Sequence, residues 1–542
     1  MNRISLNKRL FLFLFSLLVF SQAYSKQKPK LVVGIVVDQM SNDYLRRFAD
    51  KFSEGGFKRL LKSGFYFKSS YYDYVPTVTA AGHSCVYTGT LPFINGVIAN
   101  EWYDRTNNKI VYCADDENVR AVGVNTPKEK FSAKNLLAST VTDELVKADK
   151  NSRVISISLK DRGAVFCGGH LGKTFSFDNV SGKFITSTYY MDELPEWARK
   201  FNERNLNDFY LSQIWNTFYP IETYTESTAD DVPWETLFKG LKHPVFPYDL
   251  SFLRAKNPEL LEYTAYGNDI LKDFALTVFN DEKLGQGNET DFFCISFSST
   301  DKVGHHFGPN SIETEDTYLR LDKNLEELFN TLDKAIGFDN ILLFLTSDHG
   351  VAPVPGYLES IGVSSGNLDT KNLKDSIDIF LSAKYGNDDY VLWIENHQIY
   401  FNYKTLLEKN LSVEKISVEV GTYILNYKGI IESYTAAGIE SGFYNTRDAR
   451  FFQNGFIKER CGDVMFALDS NWITDMKRGA THGTAYRYDV NVPLIWFGGG
   501  VIHGETDEYN SQCDIAPTIS EILDIRKPDK SVGKSLMKKI IK

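Results

Sequence analysis

Six carboxylate and imidazole side chains stand where a metal site is expected, directly after buried-type strands or in a glycine-flanked turn. They are Asp38, Asp301, His305, Asp348, His349 and His482. Zinc takes carboxylate oxygen and imidazole nitrogen readily, and a catalytic zinc site keeps one coordination position open. Taken singly, each residue could be a turn cap or half of a helix-surface pair. Because six such positions seldom coincide by chance, the set predicts a centre with two zinc ions.

Thr79 is the candidate for one further ligand, in the stretch VTAAGHS, where a helix is predicted to start. Coordination to a divalent ion lowers the pKa of a hydroxyl and turns it into a nucleophile. A helix N-terminus adds a partial positive charge, and Ala80, Ala81 and Gly82 are expected to let a substrate approach closely. The pattern predicts a metal-activated nucleophile for phosphoryl transfer. The alternative for Thr79 taken alone is an ordinary N-cap.

The elements around these residues predict the fold. Five apolar segments are typical of buried strands: LVVGIVVD, RVISISL, DFFCISFSS, NILLFLTSD and NVPLIWFGGG. Residues 43–64 are predicted to form one helix, and a second helix is predicted to begin after Ser311 as its N-cap. This alternation predicts a doubly wound, mainly parallel α/β sheet with helices on both faces. Ligands in such folds bind outside the carboxyl ends of the strands, which is where the six side chains gather.

Two segments interrupt the alternation of strands and helices. Residues 163–268 are rich in Tyr, Trp and Pro, and residues 355–478 mix short strands with a helix. Both are predicted to be insertions or lids on one catalytic domain that occupies residues 26–542.

The N-terminus is predicted to be a cleaved signal peptide, residues 1–25. Basic residues precede an apolar run, Leu10 to Phe20, which is too short to span a membrane comfortably. Ala23 and Ser25 are small residues suited to a cleavage site. The alternative is an uncleaved anchor. We therefore expect a periplasmic or secreted protein with no stable membrane insertion after cleavage.

Composition limits the partners. The chain has 542 residues, 43% of them hydrophobic, and a net charge of −10. This acidic balance argues against nucleic acid as a partner, although it allows a small positive pocket for one phosphate. The six cysteines are even in number and expected in an oxidising compartment, so disulfides are possible, but their pairing cannot be read from the sequence. Nothing in the sequence indicates the oligomeric state.

Five motifs, in order along the chain, resemble those of the alkaline phosphatase superfamily of metalloenzymes. They are VVDQM, PTVTAAGHSCVYTGTLPFINGVIAN, STDKVGHHFGP, TSDHG and THGTAYRYDVNVPLIWFGGG. The resemblance implies one zinc ion held by Asp301, His305 and His482. It implies a second zinc ion held by Asp38, Asp348 and His349 with Thr79 beside it. It also implies an alkaline-phosphatase-like fold and a phosphorylated enzyme intermediate formed on the threonine.

Subgroup signals favour a monoesterase. The sulfatase signature Cys/Ser-x-Pro-x-Arg is absent at Thr79, and ISISLKDRGAVF carries Lys160 and Arg162 directly after a strand. This pair resembles the phosphate-irrepressible bacterial alkaline phosphatases and is missing from the phosphodiesterases of the superfamily. Arg162 can grip two oxygens and Lys160 offers a point charge, while Asn100 can donate its amide to another oxygen. The alternative for the pair is a solvated surface position.

The sequence therefore predicts a secreted or periplasmic zinc-dependent alkaline phosphatase, a phosphoric monoester hydrolase acting on small phosphate esters through a phosphothreonine. One alternative is a type I phosphodiesterase or nucleotide pyrophosphatase on the same fold. A second alternative, from another class, is an extracellular binding protein that has kept the fold without turnover.

Overall fold

A mixed sheet of eleven strands forms the centre of the molecule. The computed structural model of the chain describes residues 28–125 and 130–542, so the predicted signal peptide lies outside the described residues. Ten strands follow one another across the sheet in the order Gly504–Thr506, Phe65–Tyr71, Asn491–Gly498, Ile341–Thr346, Leu31–Val37, Asp291–Phe297, Val154–Ser158, Lys173–Asp178, Lys183–Ser187 and Ala121–Val122. The eleventh strand, Asn510–Ser511, pairs with Phe65–Tyr71.

The five middle strands, from Ile341–Thr346 to Lys173–Asp178, run parallel. Alternate residues of one strand point to opposite faces of a sheet. Val33 and Ile35 accordingly pack in one hydrophobic core, and Val32 and Val36 pack in another. Helix Tyr266–Glu282 contributes to the first core, and helix Thr79–Thr88 contributes to the second. The predicted doubly wound fold with helices on both faces is therefore confirmed.

Helices surround the sheet. The longer ones are Thr79–Thr88, Val141–Ala148, Asp161–Gly168, Glu196–Glu203, Tyr266–Glu282, Ser299–Phe307, Ile312–Ile336, Thr370–Tyr385, Val413–Ile424, Arg447–Gly455 and Ile515–Leu523. Shorter ones are Tyr44–Arg47, Phe57–Ser63, Pro92–Asn95, Leu206–Tyr210, Leu250–Leu253, Pro355–Ser360, Tyr403–Glu408, Ala436–Glu440, Arg487–Val490 and Met537–Ile540. Single 3₁₀ turns cover Ile221–Thr223, Leu260–Tyr263, Phe338–Asn340 and Gln512–Asp514. The hydroxyl of Ser311 accepts from Thr314 N at 3.1 Å, which confirms this residue as an N-cap.

The single helix predicted over residues 43–64 is wrong, because two short helices and an irregular turn replace it. The carboxylate of Asp322 causes the break. It accepts from the backbone N–H of Ser53 at 2.6 Å and of Phe57 at 2.7 Å. A Cβ at Gly56 would lie 2.1 Å from the same carboxylate, so only glycine allows this close approach.

The first predicted insertion, 163–268, begins too early. Strands Lys173–Asp178 and Lys183–Ser187 form a hairpin that extends the main sheet beside Val154–Ser158. Their short alternating patterns, KTFSFD and KFITS, lack the long apolar run of a central strand, as expected close to the sheet edge. The chain leaves the sheet only after Ser187, and a small pairing of Ile214–Trp215 with Tyr248–Asp249 follows.

The second segment, 355–478, carries a four-stranded sheet with its own hydrophobic core. The strands are Val391–Glu395, Gln398–Phe401, Val464–Leu468 and Ile430–Thr435, in spatial order. Two further pairings are small: Gly366–Leu368 with Trp472–Thr474, and Glu101–Asp104 with Lys109–Tyr112. All six cysteines are buried thiols, and the sulfur atoms of Cys85 and Cys513 lie 3.2 Å apart. Within residues 28–125 and 130–542, no helix combines the length and apolarity of a membrane span.

Candidate active site

The structure gathers the six predicted ligand residues into two groups of three. We call Asp38, Asp348 and His349 the Asp348 group, and we call Asp301, His305 and His482 the Asp301 group. Within each group, one potential ligand atom per residue lies within 4.8 Å of the others. The ring of His349 stacks on the ring of His482 at 3.5 Å between centroids, so the two groups are neighbours.

Three adjacent parallel strands position the carboxylates. Asp38 directly follows the strand Leu31–Val37, whose neighbours are Ile341–Thr346 on one side and Asp291–Phe297 on the other. Asp348 comes two residues after the strand Ile341–Thr346. Asp301 lies in the first turn of helix Ser299–Phe307, which follows the strand Asp291–Phe297. Because parallel strands end at one edge of the sheet, three separate parts of the chain deliver acidic groups to one place.

Each histidine ligand candidate is fixed in the orientation that a metal site requires. The Nδ1 atoms contact backbone carbonyls: His305 with Ala480 O at 2.7 Å, His349 with Gly350 O at 2.9 Å and His482 with Thr77 O at 2.6 Å. An Nδ1–H bonded in this way leaves the Nε2 lone pair free, and such outer contacts orient imidazole ligands. The Nε2 atoms of His305 and His482 approach Asp301 Oδ1 at 3.1 and 3.7 Å, and Nε2 of His349 approaches Asp38 Oδ1 at 3.5 Å.

Three polar atoms in the Asp348 group are buried without a hydrogen-bond partner among the described residues. They are Asp38 Oδ1, Asp348 Oδ2 and His349 Nε2. Buried polar atoms are normally satisfied, so three unsatisfied ones converging in a single group call for a ligand. Two carboxylates with one imidazole suit zinc and several other divalent ions, so the residues present fit the expected metal.

Protonation also suits metal binding. Burial, assisted by repulsion from His349 and His305, holds the pKa of His482 well below its ordinary value, and burial lowers the pKa of His349. Both imidazoles are therefore neutral with an available lone pair. Burial opposes ionisation of Asp301, but His305 and Lys160 outweigh it and hold the pKa of that carboxyl well below the ordinary value. Asp38 is the exception, because burial and then Asp348 raise the pKa of its carboxyl.

Lys160 lies between the two groups. Its ammonium donates to Asp38 Oδ2 at 2.6 Å and also to Asp301 Oδ2, so it contacts one carboxylate from each group. Its side chain is only 3% exposed, which rules out the solvated surface position considered from the sequence. Burial opposes the charge, but Asp301 and Asp38 outweigh it and raise the pKa of Lys160, so the ammonium stays charged.

Arg162 lies in the first turn of helix Asp161–Gly168, close to Lys160 in the chain. Its Nη1 donates to the hydroxyl of Tyr112 at 3.1 Å, and that hydroxyl donates in turn to the carboxylate of Asp161. These contacts fix the guanidinium, which lines a cavity of about 740 Å³ together with Asp301 and His305. Tyr112 was not identified from the sequence, because its role depends on a long-range contact.

Thr79 is the first residue of helix Thr79–Thr88, and Val78 occupies the N-cap position, so the N-cap alternative for Thr79 is wrong. The next amide, Ala80 N, donates to Asn100 Oδ1 at 3.0 Å, which turns the Asn100 amide nitrogen away from Ala80. Thr79, Ala80, Ala81 and Gly82 are all buried, and the expectation that the three small residues let a substrate approach closely stays a prediction. A Cβ at Gly82 would lie 2.2 Å from Asp348 O, so the glycine brings this helix onto the Asp348 loop.

Two residues that the sequence did not assign support the carboxylates. Gln39 has φ +62°, and its backbone N donates to Asp348 Oδ1 at 3.1 Å while its amide Nε2 donates to Asp301 Oδ1 at 2.7 Å. His83 contacts Thr79 O at 2.9 Å and Ser296 Oγ at 2.8 Å, and its Nδ1 lies 3.4 Å from Asp348 Oδ2. Gln39 therefore links the two groups, and His83 links the helix of Thr79 to one of them.

Comparison with known proteins agrees with this arrangement. A family model for type I phosphodiesterase/nucleotide pyrophosphatase matches residues 32–489. Alkaline phosphatase PhoV of Synechococcus elongatus is 42% identical over 95% of this chain and 93% of its own length. Alkaline phosphatase PafA of Elizabethkingia meningoseptica is 40% identical over 94% of both chains. A protein of Myroides odoratus named calcium-transporting ATPase is 40% identical over 95% of both.

Comparison with solved structures agrees with the sequence relatives. The crystal structure of wild-type PafA superimposes with a TM-score of 0.92 and 39% identity, covering 95% of this chain and 99% of that one. Both the family model and these relatives span most of the described chain, including the segments that carry the two groups. The chain belongs to the type I phosphodiesterase/nucleotide pyrophosphatase family, within the alkaline phosphatase superfamily.

Proposed function

We propose that the protein is an alkaline phosphatase that hydrolyses small phosphate monoesters to an alcohol and inorganic phosphate. The observation that carries this proposal is the buried ammonium of Lys160, held 2.6 Å from Asp38 Oδ2, two residues before Arg162 in the chain. A monoester carries about two negative charges near neutral pH and a diester carries one, so this extra positive charge favours the monoester. The relatives named alkaline phosphatase support the same reaction class.

Thr79 is the proposed nucleophile. Its hydroxyl gives up its proton and the oxygen bonds to phosphorus while the ester P–O bond breaks, and the departing alkoxide takes up a proton to leave as the alcohol. A water oxygen then attacks the phosphothreonine, the bond from phosphorus to Thr79 breaks, and inorganic phosphate and the free hydroxyl are released. Two divalent ions, which we propose to be zinc held by the Asp348 and Asp301 groups, would supply Lewis acidity and a lowered pKa for bound hydroxyls.

The remaining site residues are proposed to hold the transferred group. Arg162 can contact two of its oxygens in a bidentate fork, and the amide nitrogen of Asn100 can donate to a third. Lys160 contributes a positive charge from a buried side chain next to the carboxylates of both groups. Preorganised donors of this kind are worth about 10²–10³ in rate each when they are removed.

We propose the mature enzyme to be residues 26–542, released into the periplasm or medium after cleavage of residues 1–25. Small phosphate esters are the proposed partners, and nucleic acid is not, given the net charge of −10. The segment 355–478, with its separate sheet and core, is proposed as a lid subdomain on the catalytic domain.

Substrate preference tests the proposal. An aryl phosphate monoester and the corresponding aryl methyl diester should differ strongly in kcat/KM, with the monoester preferred. A preference for the diester would instead support the phosphodiesterase alternative, which the name of the family model favours. Thr79→Ala should abolish turnover, whereas Thr79→Ser, which keeps a hydroxyl, should retain part of it. An alanine variant with undiminished turnover would exclude Thr79 as the nucleophile.

A further inference from the structure

A cavity of about 740 Å³ opens from the Asp301 group to the surface. Its wall includes the buried Asp301 and the half-buried His305, and its exposed rim includes Lys477 and Arg478. Tyr263 also lines it. This volume is large enough for a small organic ligand, within the range of ordinary binding pockets.

The position of the cavity relative to Thr79 identifies which part of a substrate it can hold. Helix Thr79–Thr88 packs on the Asp348 group, through Gly82 against Asp348 O and through His83, which contacts both Thr79 O and Asp348. In phosphoryl transfer the attacking and leaving oxygens lie roughly in line on opposite sides of phosphorus. A leaving group displaced by Thr79 therefore departs on the side of the Asp301 group, where the cavity opens.

The loop that carries Lys477 and Arg478 is anchored to that group. Ala480 N donates to His305 O at 3.0 Å, and His305 Nδ1 contacts Ala480 O at 2.7 Å. Gly479 has φ +78°, and a Cβ there would lie 2.1 Å from His305 O. The two basic residues are consequently held within a few residues of a fixed attachment to the site.

Charge around the cavity is uneven. Lys302 is already engaged, with its ammonium 3.5 Å from carboxylates of Glu259 and Glu262. The carboxylate of Asp475 accepts from Thr370 N at 2.9 Å and from its hydroxyl at 2.6 Å. Within the described part of the chain, Lys477 and Arg478 have no ion-pair partner, and both are exposed. Their charges remain available to a ligand.

The geometry points to a leaving-group subsite for anions. Resting on the proposed monoesterase function, we assign as preferred substrates those phosphate monoesters whose alcohol carries a second anionic group, a further phosphate or a carboxylate. Lys477 and Arg478 would bind that group while Arg162 and Lys160 bind the ester phosphate. Esters of uncharged alcohols would occupy the same cavity without this contact.

The test compares two aryl phosphates that are matched for leaving-group acidity, one with a neutral para substituent and one with an anionic one. In the double variant Lys477→Gln/Arg478→Gln, kcat/KM for the anionic ester should fall about fivefold, since exposed ion pairs are individually weak. The value for the neutral ester should change by less than about twofold. Raising the ionic strength should reduce the advantage of the anionic ester in the parent enzyme but not in the variant.

A matched control is Lys334→Gln/Lys538→Gln, which removes two exposed charges that do not line the cavity. In this control variant, kcat/KM should be unchanged for both esters. Equal losses for both esters in the Lys477/Arg478 variant, or no loss for either, would overturn the subsite while leaving the proposed function intact. Failure of the parent enzyme to hydrolyse the neutral ester would contradict the proposed function itself.

Discussion

Replacing Lys160 with methionine tests the charge balance of the site. The substitution keeps a linear apolar stem and removes the ammonium that contacts Asp38 at 2.6 Å and also contacts Asp301. The side chain is 3% exposed, so water cannot take over the role of the ammonium. In metal-free protein the variant leaves two buried carboxylates without their shared cation.

The expected loss is large. Removing one partner of a buried ion pair costs about 3–5 kcal/mol, because the remaining charge stays buried and unpaired. Asp301 and Asp38 outweigh burial and raise the pKa of Lys160. The contribution of its ammonium to the free energy of unfolding is therefore complete below the ordinary lysine pKa. That contribution disappears only when the pH rises through the raised pKa. The loss should therefore be similar at neutral and mildly alkaline pH, and smaller in acid, where a carboxyl of the variant can take up a proton.

Urea unfolding of chelator-treated protein measures the difference. Lys200→Met is the matched control, because that ammonium lies 2.7 Å from Glu196 Oε1 and the two side chains are 68% and 69% exposed. The control should lose no more than about 1 kcal/mol. Adding zinc should shrink the loss in Lys160→Met, because divalent cations on Asp38 and Asp301 would supply the missing positive charge. If metal-free Lys160→Met were as stable as the metal-free control, the reasoning would be refuted.

Three further predictions concern other parts of the structure. Arg162→Lys should lower kcat/KM for monoesters by about 10²–10³, because a point charge cannot grip two oxygens, and steady-state kinetics would measure it. Gln39→Leu should weaken metal binding about 10–100-fold, measured by competition with a chelator, because the amide that orients Asp301 at 2.7 Å is lost. Burial raises the pKa of Glu313 to about 8. This carboxyl therefore holds a proton in the folded state that it releases when the protein unfolds. The free energy of unfolding consequently falls as the pH rises from the ordinary glutamate pKa to about 8. Glu313→Gln should therefore stabilise the protein above pH 8, by on the order of 5 kcal/mol, and the gain should vanish in acid. Thermal unfolding across pH would measure it.

Each of these predictions has a contrary outcome. Arg162→Lys with unchanged monoester kinetics would mean that the guanidinium does not bind the transferred group. Unaltered metal affinity in Gln39→Leu would reduce this residue to packing. A gain in Glu313→Gln that does not depend on pH would point to packing rather than protonation.

The sequence predicted the carboxylate and histidine positions because each comes shortly after an apolar, buried-type strand or lies in a glycine-flanked turn. A general rule about sheet edges then brings Asp38, Asp301 and Asp348 together, with no knowledge of tertiary contacts. The same apolar runs predicted the central parallel strands. Local pattern and a topological rule were enough for these features.

Other features depend on contacts between distant parts of the chain. Gln39 has no residue-type signal for its role, which arises from a left-handed backbone and from acceptors 262 and 309 residues away. The break in the helix predicted over residues 43–64 requires the carboxylate of Asp322. The hairpin over residues 173–187 looked like part of an insertion because strands near a sheet edge lack the long apolar runs of central strands. Only the contacts of Gln39 leave no pattern in the local sequence, because Gly55-Gly56 marks a turn and the hairpin has turn residues at 179–182.

Charge explains how one fold can serve both esterase classes. The family model is named for phosphodiesterases, whereas relatives covering most of this chain are named alkaline phosphatases. The two groups of candidate metal ligands would serve either reaction, so these groups do not distinguish the reactions. We propose that Lys160 does, because a buried ammonium requires a negative partner in every bound state. With cations on Asp38 and Asp301, the second charge of a monoester can provide that partner, and a diester has no such charge to offer.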